Sequence, residues 1–235
     1  MKILGIDTSG KVASVAISDG EKLLWEKSVF TTLTHSQVIL PMVEQALKDT
    51  ALDLPDIDCA AVACGPGSYT GLRIGIGALK GMAMGCESLK CAGVSTLLSL
   101  ALNCLCFKGK IIAVMRARPD ISYVGEFESD GCTLKRTGDD RVAGDYDTFE
   151  NLDTSQGVML VGDNAEIIKQ KFFSNDNNVT LAPMPLRLQR AGSLCLAVQT
   201  GITPLTGADK LEVSYLQATK AEKDKAHSGE QEETK

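Results

Sequence analysis

The sequence predicts an α/β protein in which mixed sheets are flanked by helices, in two related subdomains. Three observations predict it. Residues 3–30 read as three consecutive short strands. Strand–helix alternation follows up to about residue 106, with a glycine-rich turn between one strand and its helix. Past 106–110 the chain restarts with a second run of strands and returns to α/β order. Strand sets followed by alternating strands and helices are the pattern of layered sheets covered by helices.

The first three strands are KILGIDTS, VASVAISD and KLLWEKSVF, rich in apolar and β-branched residues, with turns at Ser9-Gly10 and Asp19-Gly20. Asp-Gly between two apolar runs is a hairpin signal. Helical spacing takes over at 35–50, and CAAVACG (59–65) is a short apolar run suited to a buried strand. A second helix runs to about Cys86, CAGVST (91–96) reads as a strand, and 96–106 as an apolar helix. The second half offers strands at 109–118, 121–129 and 132–137, a loop over 138–157, a strand at 157–164, and helices at 165–173 and 190–200. The expected division is an N-terminal subdomain 1–106 and a C-terminal subdomain 107–217. The tail 218–235 lacks large apolar residues and is expected to be disordered.

At 235 residues the chain can bury a core without metal or disulfide staples. Hydrophobic residues at 44% and charged residues at 23% exclude collagen-like, coiled-coil and wholly disordered classes. A net charge of −6 argues against nucleic-acid binding as the sole activity. The eight cysteines form no CxxC and sit mainly in apolar runs, as free thiols do in a reducing cytoplasm. Met1-Lys2 runs straight into a strand, so no signal peptide is read. The longest uncharged stretch, 91–107, is too short and too polar for a membrane helix. A cytoplasmic protein without membrane contact is therefore expected.

Two helices carry more apolar surface than one sheet needs. On 38–49, Val38, Ile39, Leu40, Met42, Val43, Ala46 and Leu47 occupy about half the circumference. On 71–86, Leu72, Ile76, Leu79 and Ala83 form one apolar face and glycines with Ala78 and Met82 a second. A stripe of about 100° suffices for a helix on a sheet. Either both helices are deeply buried in their own domain, or each also packs on another chain. The surviving charged edges favour the second. The expected partner surface is His35, Ile39, Val43 and Leu47 on the first helix, with Leu72, Arg73, Ile76, Leu79, Lys80 and Ala83 on the second. Pro41, inside the first helix, is expected to kink it or mark a late start.

The turn Gly65-Pro66-Gly67-Ser68-Tyr69-Thr70-Gly71 lies between strand and helix. A helix N-terminus there could receive an anion, but the turn lacks the lysine of a P-loop. Ser68 or Thr70 could equally cap the helix. Asp7, Thr8 and Ser9, with Gly67 and Ser68, are the candidate nucleotide contacts; Asp7 reads alternatively as a turn-forming acid.

GIDTS (5–9), THSQVILPMVEQAL (34–47), GPGSYTGLRIG (65–75), ALKGMAMG (78–85) and CAGVSTLLSLA (91–101) together resemble the TsaB family, covering about residues 1–105 well and the rest weakly. The resemblance implies the actin/Hsp70-type (ASKHA) fold. It further implies a subunit that pairs with a TsaD-like catalytic subunit, or with itself as a homodimer, through the two helices above, with a TsaE-like ATPase joining. Such a complex transfers a threonylcarbamoyl group to N6 of adenosine 37 in tRNA, so tRNA is met only through the complex. ATP or ADP and metal are implied on the partner subunits, with no cofactor intrinsic to this chain.

The family's second-half segment resembles D-A-R, and Arg116 stands here in place of the acid, with Ile121 where Glu is usual. VSYLQ (213–217) resembles P-x-Y-L-R with Val213 and Gln217 substituted. Arg116 argues against a two-carboxylate ATP site. Of two histidines, His35 opens a helix and has no histidine four residues away, and His227 lies in the tail. Neither a His-ligated metal nor a Ser/His or Cys/His hydrolase is expected. The expected role is a non-catalytic partner subunit. The alternatives are an ATP-dependent phosphotransferase of the sugar-kinase type and a homodimeric scaffold.

Overall fold

The computed structural model describes residues 1–216; Gln217, the tail 218–235 and with it His227 lie outside the described residues. In chain order the elements are β1 (Lys2–Asp7), β2 (Val12–Asp19), β3 (Lys22–Phe30), α1 (His35–Thr50), β4 (Cys59–Gly65), α2 (Tyr69–Gly85), β5 (Lys90–Ser95) and α3 (Thr96–Leu102). There follow β6 (Lys108–Arg118), β7 (Ile121–Asp130), β8 (Leu134–Arg136), β9 (Arg141–Gly144), α4 (Asp145–Phe149), β10 (Val158–Val161), α5 (Ala165–Phe172), β11 (Val179–Leu181) and α6 (Ala191–Gln199).

Two sheets result, ordered β3-β2-β1-β4-β5 and β8-β7-β6-β10-β11. The order is the same in both. Each opens with an antiparallel pair, Asp7 opposite Ser14 in the first and Arg116 opposite Ser122 in the second. Each then adds two parallel strands. The duplication suggested by strand order is therefore a property of the topology.

Period-two alternation assigns the strand residues to layers. Leu4 and Ile6 of β1 face outward and form a core with Ile39, Met42, Val43 and Ala46 of α1 and Ile76 and Leu79 of α2. Ile3 faces inward, into a core shared with α3, α6 and Ile111, Ala113 and Met115 of β6. On the far side, Ile112 and Val114 of β6 meet Phe149 of α4 and Ala165 and Ile168 of α5. The layers run helix, sheet, helix, sheet, helix.

Several boundaries differ from the expectation. The apolar helix after β5 ends at Leu102, and turns occupy 103–107. The expected loop over 138–157 contains β9 and α4. α1 runs unbroken through Pro41, which lies on the exposed face, where water can serve the carbonyl left without its helical N–H. α6, from the second half of the sequence, contacts β1 and β2. The segment after it also returns to the first sheet. Thr206 exchanges two backbone hydrogen bonds with Cys91 of the edge strand β5, and Leu211 is buried against the outer core.

Candidate interaction face and the glycine turn

The β1–β2 loop and the glycine turn form one packed unit. Thr8 donates its hydroxyl to the carbonyl of Gly71 at 2.7 Å, and the Ser68 N–H donates to the Ser9 carbonyl at 2.7 Å. Ser68 caps α2, its hydroxyl accepting from the Gly71 N–H at 3.2 Å. A Cβ on Gly67 would lie 2.3 Å from the Ser9 carbonyl oxygen, and one on Gly71 2.1 Å from that of Thr8. The glycines are required by this approach of two backbones. Asp7, Thr8, Ser9, Gly67 and Ser68 are thus brought together. The Thr8 and Ser9 carbonyl oxygens sit against Gly71 and Gly67, and the Ser9 carbonyl already takes the Ser68 N–H.

Asp7 is fully buried. One carboxylate oxygen accepts from the Ser9 N–H (2.9 Å) and hydroxyl (2.6 Å), and the other has no partner. Burial raises its pKa above the ordinary carboxylate value, with the Ser9 hydrogen bonds and nearby His35 opposing the shift. His35 Nε2 sits 2.8 Å from the Gly10 carbonyl, and its Nδ1 is buried without a partner. His35 therefore pins the loop to the start of α1. In the second half, the Arg116 N–H donates to Asp163 at 2.9 Å. Among the described residues no group of three His, Cys, Asp or Glu could hold a metal ion. No helix among them is long and apolar enough to cross a membrane.

The two apolar helices require a correction. Leu72 (1% exposed), Val43 (4%) and Ile76 (6%), with Ile39 and Leu79, are enclosed by their own chain and cannot present a partner surface. The extra cover comes from neighbours invisible to a helical wheel. α1 and α2 pack on each other as well as on the sheet, and Leu211 and Val213 of the returning segment join the same core. Leu47, Lys80 and Ala83 are half-buried, and Arg73 is exposed.

What α2 leaves open is a different arc. Gly77, Gly81 and Gly85 repeat every fourth residue, and a Cβ on any of them would meet nothing within 4 Å. Met84, 86% exposed, and Arg73 share this side. Each interior helical glycine costs roughly 0.5–1 kcal/mol relative to alanine. Nothing within the described fold requires these glycines.

At the head of this arc stands a cluster that sequence spacing did not reveal. Tyr69 stacks on Tyr215 with ring centroids 5.2 Å apart. The Arg73 guanidinium lies 4.0 Å from the Tyr69 centroid, and its Nε donates to the Tyr215 hydroxyl at 2.9 Å. The GPGSYTGLR segment and Tyr215 thus meet at one surface.

Residues 30–204, well over half of the chain, match the family model described as "TsaD: tRNA N6-adenosine threonylcarbamoyltransferase". A Bacillus subtilis protein named tRNA threonylcarbamoyladenosine biosynthesis protein TsaB is 30% identical over 171 residues, 72% of this chain and 74% of that one. This chain belongs to the TsaB family. The Escherichia coli TsaB is 38% identical over 138 residues, 55% of this chain and a little over half (56%) of that protein. Among solved structures, YeaZ from Pseudomonas aeruginosa superposes with a TM-score of 0.76 at 24% identity, covering 92% of this chain and 99% of that one. A second structure from that organism, titled as similar to peptidase YEAZ, gives 0.78 at 23% identity, with 92% and 99% covered. The actin/Hsp70-like fold expected for a TsaB chain is the fold observed. In this TsaB chain the two halves are unequal. α1 and α2 have 16 and 17 residues, whereas α4 and α5 on the equivalent face of the second sheet have 5 and 8.

Proposed function

We propose that this chain is a non-catalytic subunit of the assembly that adds a threonylcarbamoyl group to N6 of adenosine in tRNA, and that it seats a TsaD-like catalytic subunit on the open arc of α2. The observation that carries the reading is the exposed Gly77-Gly81-Gly85 row. It sacrifices helix stability in a place where no group of this chain needs the space, and it lets a second helix approach the α2 backbone closely. The names of the TsaB relatives support the pathway. In this reading chemistry, nucleotide and metal belong to the partner subunits, a TsaE-like ATPase joins the assembly, and tRNA is met only through the complex, in the cytoplasm. A homodimer through the same arc is the resting form to be tested against the mixed complex. The phosphotransferase reading gains no support from the glycine turn, where the Ser68 N–H is already taken by the Ser9 carbonyl.

The test substitutes Gly81→Leu and, separately, Gly77→Leu. Both side chains have open space in the free chain, so each variant should fold at least as well as the parent. Each should fail to co-elute with the TsaD-like subunit of the same organism. A Gly81→Leu chain that still forms the complex and supports tRNA modification would overturn the proposal. The contact set expected from the helical wheels is unsuitable for this purpose, because Ile76→Asp or Val43→Asp would strike the chain's own core.

A further inference from the structure

Tyr69, Arg73, Gly77, Gly81 and Gly85 stand four residues apart on α2, and all five are exposed. Residues at that spacing form one row slanting across a helix surface. From Gly77 to Gly85 the row is an open trough about 12 Å long, and Arg73 stands about 6 Å beyond its N-terminal end. Side chains lean toward the N-terminus of their helix, which carries the Arg73 guanidinium back over Tyr69.

The guanidinium is held from two sides. It lies 4.0 Å from the Tyr69 centroid and 6.0 Å from that of Tyr215, and its Nε donates to the Tyr215 hydroxyl at 2.9 Å. These contacts use one face of the group and its Nε. None of the ion pairs among the described residues includes Arg73, so its two Nη groups meet no carboxylate there. The first turn of α2 carries no acidic residue. The positive end of the helix dipole therefore adds to the guanidinium charge instead of being offset. An arginine already fixed in one conformation has little freedom left to lose when an anion docks, and its paired Nη groups match the two oxygens of a carboxylate.

We infer that Arg73 anchors a carboxylate of the docked partner, an Asp or Glu side chain on the helix that the TsaD-like subunit lays along the trough, about one turn beyond the stretch facing the glycines. This rests on the reading of the open arc as the seat of that subunit. The glycines set how closely the partner helix approaches. Three glycines in a row offer no side chain against which it could be registered, and Arg73 supplies that mark. A phosphate of tRNA would also fit a guanidinium. The net charge of −6 and a trough open to a helix favour the protein carboxylate.

Binding of the full chain to the TsaD-like subunit of the same organism is measured by isothermal titration at low and at high salt. Arg73→Gln should weaken binding by about tenfold or more and flatten its salt dependence. Arg73→Glu should abolish binding, and one acid-to-arginine substitution on the partner's docking helix should restore it, a rescue that a purely structural role for Arg73 would not give. Binding by Arg73→Gln with the parent's affinity and salt dependence would overturn the inference, as would failure of every such substitution to rescue Arg73→Glu. Intact partner binding with loss of tRNA binding by the assembled complex would assign the guanidinium to a phosphate and overturn it too. Gly81→Leu, measured alongside, separates the two readings. If it abolishes the complex while Arg73→Gln does not weaken it, the seat stands and the anchor falls; if it leaves the complex intact, the seat falls and the anchor with it. Arg73 is exposed, and unfolding curves that match the parent's exclude misfolding as the cause.

Discussion

Thr8 and Gly71 are 63 residues apart in sequence, yet the Thr8 hydroxyl donates to the Gly71 carbonyl at 2.7 Å while the Thr8 carbonyl leaves no room for a side chain at Gly71. The glycines of α2 thereby divide into two functional sets. Gly71 and Gly75 admit the β1–β2 loop, and Gly77, Gly81 and Gly85 face open space.

The division predicts opposite signs for the same substitution. Gly71→Ala would place a methyl 2.1 Å from the Thr8 carbonyl oxygen, and Gly75→Ala one 2.5 Å from the Thr8 hydroxyl. Each should destabilise the fold by about 1–3 kcal/mol. Gly77→Ala and Gly81→Ala should each stabilise it by roughly 0.5–1 kcal/mol. Urea unfolding of the four variants measures both. Stabilisation of the Gly71 variant would refute the packing account.

Buried apolar positions on α1 and α2 should not tolerate charge. Val43→Asp or Ile76→Asp places an unpaired carboxylate in the outer core and should cost more than about 4 kcal/mol. The expected outcome is an insoluble chain or one without cooperative unfolding, seen by circular dichroism on the isolated protein.

Asp7 predicts a pH dependence with a definite sign. Burial raises its pKa in the folded chain above the usual 3.8, so the folded state holds the proton more tightly than the unfolded chain. The stability linked to this group is full below the unfolded value and is lost as pH rises through the folded one. Asp7→Asn retains an oxygen to accept from Ser9 and carries no charge. Its unfolding free energy should fall less between pH 4 and 7 than the parent's. A variant curve parallel to the parent's across this range would count against the assignment.

Tyr215 should hold the returning segment to α2. Tyr215→Ala removes the stack on Tyr69 and the acceptor for Arg73. Amide exchange at Ser214, whose N–H donates to the Cys64 carbonyl at 2.7 Å, should quicken while amides of β1 keep their protection. Equal loss of protection in β1 would mean that the residue supports the whole first half instead.

Much of the local structure was legible because it rests on local signals. β2, β3 and β4 occupy the runs VASVAISD, KLLWEKSVF and CAAVACG from which they were read, since apolar runs closed by turn residues specify strands. β9 and α4 escaped notice because 138–157 is mostly polar. Val142, Ala143, Tyr146, Phe149 and Leu152, with little periodicity between them, are its hydrophobic residues. β11, with three residues, is too short to show alternation.

By itself, the sequence determined the element order of the first half, the family and the residues of the glycine turn, and it suggested the duplication that the sheet order then showed. These follow from local periodicity, turn chemistry and a motif of contiguous residues. Tertiary structure alone decided which apolar residues were spare. A helical wheel counts the circumference that must be covered but cannot say what covers it. Here α1, α2 and the segment around Leu211 converge on one core and cover Val43, Leu72 and Ile76. The arc of α2 that this core leaves open carries Gly77, Gly81 and Gly85.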